Sequence, residues 1–193
     1  STTLPVKDLE HMIAMGLDVN ALPRSALGVS LLWALLRHIT LTPSMPEDYV
    51  LETLCVVLNA GANPNACIPR SSPSAQSAST SKQSIVLTQH PLTFLLEQYS
   101  EIALDVISLL LAKGAQLTVA SAFSNGRLPL HSAVKANRFD VVQEFLLHGA
   151  EVNSVDLDGR TPLHMAAERG DWEILNSLLR HGAKIDISDV EQN

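Results

Sequence analysis

The chain has 193 residues, is 46% hydrophobic, and carries a formal net charge of −7 with a pI near 5.4. That acidic balance, without clustered Lys and Arg, argues against general nucleic-acid or acidic-membrane binding. No apolar run approaches the roughly 18 residues that span a bilayer, no secretory leader opens the chain, and Cys55 and Cys67 are too few for a disulfide framework and form no CxxC pair.

In chain order, the first predicted element is a helix ending at Gly16, with Leu9, Met12 and Ile13 facing inward and the tail Leu17-Asp18-Val19-Asn20 behind it. A second helix opens at Ser30, which can cap it, with Leu32 and then Trp33 following. The next ends at Gly61 after Leu54, Val57 and Leu58, with the tail Ala62-Asn63-Pro64-Asn65. Leu32 and Val57 stand 25 positions apart, against 15 for Leu163 and Leu178 further on. The surplus falls around Ile39–Asp48, where Pro43 and Pro46 predict a loop.

A second surplus separates Asn65 from Pro91. Its core, Ser71 to Ser81, holds no large apolar residue, so residues 67–82 are predicted to be a disordered, Ser-rich insertion. A tolerated hairpin insertion is the plain reading, and a phosphorylated or partner-docking loop the functional one. Beyond it, His90-Pro91-Leu92 opens a helix with Thr93 and Phe94 following. Ile107, Leu110 and Leu111 then precede Gly114.

The last part of the chain repeats itself. Arg127-Leu128-Pro129-Leu130-His131-Ser132-Ala133-Val134 returns 33 positions later as Arg160-Thr161-Pro162-Leu163-His164-Met165-Ala166-Ala167. Phe145-Leu146 answers Leu178-Leu179, and His148-Gly149-Ala150 answers His181-Gly182-Ala183. Each residue has a physical task. Thr161 can cap the helix, and Pro162 suits its first position, where no amide donor is needed. Gly159 allows the turn before them. Leu163, Ala166, Ala167 and Gly170 share one helix face. Leu175, Leu178 and Leu179 are the expected buried face of the following helix, which stops at Gly182.

This period and the Thr-Pro-Leu-His opening resemble the ankyrin-repeat family. The resemblance is specific over 118–193 and looser before it, where the helix-ending glycines stand 45, 53 and 35 residues apart. It implies an all-α repeat solenoid of helix-turn-helix pairs joined by short β-hairpin loops, forming a single domain over 1–193. The approximate repeats are 1–20 (partial), 21–66, 83–118, 119–153 and 154–186, with 187–193 starting a further hairpin. Because neither terminal repeat has a polar outer face, the expectation is a fragment of a longer protein.

Seven histidines raise the question of metal or catalytic chemistry. His131 and His164, and likewise His148 and His181, are separated by the repeat period, so periodicity explains their placement without ligand geometry. Gly28-Val29-Ser30 begins like a nucleophile elbow, but Leu32 stands where the second glycine belongs. No Gly-rich phosphate loop or HExxH is present. Trp33 and Trp172 are expected in the core, Trp172 in register with Phe139 and Leu104. No catalytic residue, cofactor or metal site is therefore expected.

The resemblance implies a non-catalytic protein–protein interaction module with a protein partner, no nucleic acid and no membrane insertion, acting as a monomeric domain. Composition and cysteine usage place it in the cytoplasm or nucleus. The alternative is the recognition or regulatory part of a larger enzyme or channel whose chemistry lies elsewhere. In ankyrin proteins the solvent side of the first helices forms a concave surface beside the hairpin tips. Helical spacing assigns Phe94, Glu97 and Gln98, then Ser132, Lys135 and Ala136, then Met165, Glu168 and Arg169 to that side. The expected partner-binding set is Phe94, Lys135, Met165 and Arg169, with Leu157 and Arg160 near the adjacent hairpin.

Overall fold

The computed structural model describes residues 6–20, 30–41, 46–66, 68–70, 87–98, 102–121 and 124–186. Their elements in chain order are α1 (Val6–Ala14), α2 (Leu31–Leu41), α3 (Glu47–Asn59), β1 (Ile68–Arg70), β2 (Leu87–Gln89), α4 (Pro91–Gln98), α5 (Leu104–Ala112), α6 (Pro129–Lys135), α7 (Phe139–Leu147), α8 (Pro162–Arg169) and α9 (Trp172–Arg180). The class is the all-α repeat solenoid expected from the sequence. Its helices form two units, Ser1–Ala66 with Glu101–Ala115, and Cys67–Ser100 with Gln116–Asn193.

In the first unit α1, α3 and α5 pack side by side as second helices, and α2 packs on α3. Trp33, Leu36, Leu54, Val57, Ile107 and Leu110 have no exposed surface. Removing each such side chain from water contributes roughly 1.5–3 kcal/mol. The surplus assigned to a loop around Ile39–Asp48 is partly helical instead. Ile39 belongs to α2 and is buried, while Glu47 and Asp48 begin α3. These helices run 11 and 13 residues, against 8 and 9 for α8 and α9, so much of the extra length lies in added helical turns. Residues 42–45, including Pro43, lie outside the described residues.

In the second unit the first helices form one row, α4 on α6 and α6 on α8, and the second helices another, α7 on α9. Strands β1 and β2 pair antiparallel, with Ile68 opposite Gln89 and Arg70 opposite Leu87. The start of the Ser-rich insertion is thus a strand, and the insertion's core at 71–86 lies outside the described residues.

The second helices bury a different stripe from the one expected at their starts. Val141, Val142 and Phe145 are fully buried in α7, and Ile174, Ser177 and Leu178 are buried in α9. Trp172 lies two residues before Ile174, roughly 200° around the helix, and is 72% exposed. Phe139, its counterpart, is 40% exposed. The core assignment of Trp172 is therefore corrected: these aromatics lie off the buried stripe. Leu175 and Leu179 are only half-buried, Ala167 and Gly170 are exposed, and Met12 in α1 is 46% exposed.

Two devices recur. At the end of α7, Gly149 has a φ of 76°, a left-handed value that disfavours a β-carbon, and the Ala150 amide reaches back to the Phe145 carbonyl at 2.9 Å. The same back-bond closes α3, α5 and α9. Asparagine side chains then tie one turn to the next. The Asn20 amide donates to the Gly61 carbonyl at 2.8 Å and its oxygen accepts from the Asn63 amide at 2.9 Å. Asn65 donates to Gly114 at 2.8 Å, and Asn153 clasps Gly182 and Lys184 at 3.1 and 2.8 Å.

Candidate interaction surface

The clearest constellation in the second unit lies where the end of α4 and the face of α6 meet the turn 124–127. Asn125 and Gly126 are both left-handed, with φ of 58° and 71°, so the Asn-Gly pair turns the chain tightly. Close approach also requires the glycine. A β-carbon at Gly126 would stand 2.8 Å from Leu157 Cγ. Leu157 belongs to the following hairpin, and its amide donates to the Asn125 carbonyl at 2.9 Å.

That hairpin is organised by Asp156, whose side chain has no exposed surface. Its carboxylate accepts from the amides of Asp158 and Arg160, each at 3.0 Å, and faces the guanidinium groups of Arg127 and Arg160 at 3.7 and 3.5 Å. Four donors or positive groups thus offset the burial of one charge. His131 locks the hairpin to α6. Its Nδ1 accepts from the Leu128 amide at 3.3 Å, and Nε2 donates to the Arg160 carbonyl at 3.1 Å. Burial pushes the His131 pKa down, and the bond to Arg160 works against that shift. His164 instead accepts from Thr161 N at 3.2 Å, while the Thr161 hydroxyl caps the His164 amide at 3.3 Å. His148 and His181 bond carbonyls of their own helices. The periodic histidines therefore have structural partners.

An open cleft of about 430 Å³ lies beside this turn, lined by Leu96, Glu97, Gln98, Ser124, Asn125, Arg127, Ser132, Lys135 and Ala136. Five of these, Glu97, Gln98, Ser132, Lys135 and Ala136, come from the side of the first helices that spacing assigned to solvent. The structure brings Lys135 into this cleft and exposes it. Leu157 projects from the hairpin tip, 73% exposed. Arg160 is half-buried and bonded to Asp158 at 3.1 Å, with Glu168 at 3.7 Å. Arg169 is exposed but pairs with Asp171 at 2.8 Å.

Two expected contact residues need correction. Phe94 and Met165 are buried, at 9% and 6% exposure, as is Ser132 at their equivalent position. Adjacent first helices pack closely enough that this position falls in the seam between them. Neither Phe94 nor Met165 offers an apolar contact to a partner. Spacing alone also missed Asn125 and Arg127, although the Asn-Gly turn signal was available.

Among the described residues no cluster of three or more His, Cys, Asp or Glu side chains could hold a metal ion, and no helix is long and apolar enough to cross a membrane. Residues 94–189 match the family model for ankyrin repeats, in three copies. No curated protein matches the chain. The chain belongs to the ankyrin-repeat family, whose repeats generally serve as protein–protein interaction modules and are typically non-catalytic.

Proposed function

We propose that this chain is a non-catalytic protein-binding scaffold, part of a larger regulatory or effector protein of the cytoplasm or nucleus. Its partner meets the exposed ends of α4, α6 and α8 and the hairpin tip at Leu157. The observation that carries this reading is the meeting of Lys135, Glu97 and Gln98 with the 124–127 turn in one open cleft beside an exposed leucine. A polar depression next to an apolar projection suits a mixed protein interface. Repeat packing does not require either Leu157 or Lys135 to be exposed.

The test is a combined Leu157→Asp, Lys135→Glu, Arg169→Glu variant, checked for native helicity by circular dichroism. Partner capture is then compared with the parent chain by quantitative mass spectrometry. Loss of specific partners supports the reading. A folded variant that keeps every partner at parental levels places the interface elsewhere.

A further inference from the structure

We propose that the cleft between α4, α6 and the 124–127 turn is an acidic side-chain pocket, which takes a glutamate or aspartate carboxylate from an extended segment of the partner protein. The inference rests on the reading of the chain as a partner-binding module and specifies what that partner must carry. Three observations support it.

The first is charge. The lining contains two cations, Arg127 and Lys135, against one carboxylate, Glu97, in a chain whose net charge is −7. Local sign thus opposes global sign. The second is the state of the cations. Arg138, Arg160 and Arg169 are each paired with an acid. Lys135 forms no ion pair with any described residue, and it projects into the cleft beside Arg127, whose own charge faces buried Asp156.

The third is an unsatisfied polar atom. Ser132 Oγ is buried without a hydrogen-bond partner among the described residues and its residue lines this cleft, whereas Arg127 Nε already faces Asp156 at 3.7 Å. A buried hydroxyl lacking an acceptor carries a desolvation cost that an incoming anion can remove. A carboxylate bound there would accept from the Ser132 hydroxyl and the Lys135 ammonium, with the Arg127 charge close by. Asn125 already donates to Asp158 at 2.6 Å and helps to hold the turn in place. A volume of about 430 Å³ suits a side chain with ordered water better than a folded element. That limits the occupant to an extended acidic segment.

The test uses the full chain and three probes: a capped alanine pentapeptide with a central glutamate, its glutamine counterpart, and inorganic phosphate. Binding is followed by backbone amide shifts in NMR. The glutamate peptide is expected to move signals from 96–98 and 124–136, and to bind at least tenfold more tightly than the glutamine peptide. Lys135→Glu should weaken it by tenfold or more, while Glu97→Gln should strengthen it severalfold by removing the one repulsive lining group. Both substitutions are at surface positions, and circular dichroism checks their fold. Equal binding of the two peptides, no shifts, shifts outside the cleft, or undiminished binding by Lys135→Glu would overturn the proposal. So would phosphate binding the cleft more tightly than the glutamate peptide, which would make it a phosphoryl site. If the peptides fail while the triple variant still loses its partner, the pocket chemistry falls and the interaction reading stands. If the glutamate peptide binds as expected but partner capture is insensitive, the interaction reading falls instead.

Discussion

Trp33 in the first unit and His131 in the second occupy the same helical position, and they solve one problem with different chemistry. The Trp33 indole N–H donates to the carbonyl of Ala66, and His131 Nε2 donates to Arg160. Ala66 is the counterpart of Ser154, whose backbone helps to offset the burial-driven fall in the His131 pKa. Both side chains have no exposed surface. In α2 and α6 the position thus holds a buried ring that carries an N–H directed at the next loop, supplied once by tryptophan and once by histidine. At the same position in α4, Thr93 bonds back to the His90 carbonyl at 2.9 Å, within its own repeat.

The largest test of this equivalence removes the rings. Trp33→Ala should cost about 3–5 kcal/mol, because it leaves a large cavity as well as an unbonded loop carbonyl. Trp33→Phe keeps most of the volume and should cost about 1–3 kcal/mol, the range for a lost buried hydrogen bond. Urea unfolding measures both. If Trp33→Phe is neutral, the indole bond contributes nothing and the parallel with His131 fails.

The histidines add a pH dependence that the tryptophan cannot. His90, fully buried before α4, is pushed down from 6.5 to about 4 by burial. The unfolded chain protonates near 6.5, whereas the folded chain keeps this ring neutral to about 4. Its contribution is complete above pH 6.5, falls as pH drops through that window, and is lost below it. The loss is on the order of 3 kcal/mol. His90→Asn should flatten the slope of unfolding free energy between pH 7 and roughly 4.5. An unchanged slope would show that His90 is not the titrating group.

Smaller effects attach to the asparagine clasps. Asn153→Ala should cost about 1–2 kcal/mol, since two hydrogen bonds are lost at an exposed turn. Thr118 stands at the equivalent place after Gly114, where its shorter side chain cannot present an amide and a carbonyl together. Thr118→Asn should clasp Gly149 and Glu151 and raise stability by about 0.5–1 kcal/mol. A destabilised Thr118 variant would mean that the turn spacing differs there. The smallest expected effect is from deleting residues 72–80. Arg70 already faces Leu87 across the ribbon, so shortening the connection should move the unfolding midpoint hardly at all. A large drop would show that the segment contributes packing.

The repeats were legible because their signals are local. Thr161, Pro162, Gly149 and Gly182 take the capping and turn positions that their chemistry dictates. The buried seams at Leu54, Val57, Ile107 and Leu110 follow helical spacing. What spacing could not resolve was phase against neighbours. Phe94 and Met165 lie on the flank that another first helix covers, and Trp172 lies off the stripe set by Ile174 and Leu178. A single helix read in isolation does not show how wide its covered face is. The cleft was half legible for the same reason. Lys135 and Gln98 follow from helix geometry, but Arg127 and Asn125 enter through a turn whose direction depends on contact with the next hairpin.

Five side-chain N–H groups that reach a later turn point the same way along the chain, although backbone amides such as those of Asn63, Leu157 and Lys184 donate back in the other direction. Asn20 reaches ahead to Gly61, Trp33 to Ala66, Asn65 to Gly114, His131 to Arg160 and Asn153 to Gly182. During synthesis from the amino end, the donor side chain of each repeat is made before the carbonyl it will bond. A truncation from the carboxyl end therefore leaves donors behind, including the buried indole of Trp33 or imidazole of His131, each costly to leave unbonded. A truncation from the amino end removes these side chains and leaves loop carbonyls, and exposed amides such as those of Asn63 and Lys184, that water can reach more easily. The array has a direction, and shortening it from its two ends is not thermodynamically equivalent.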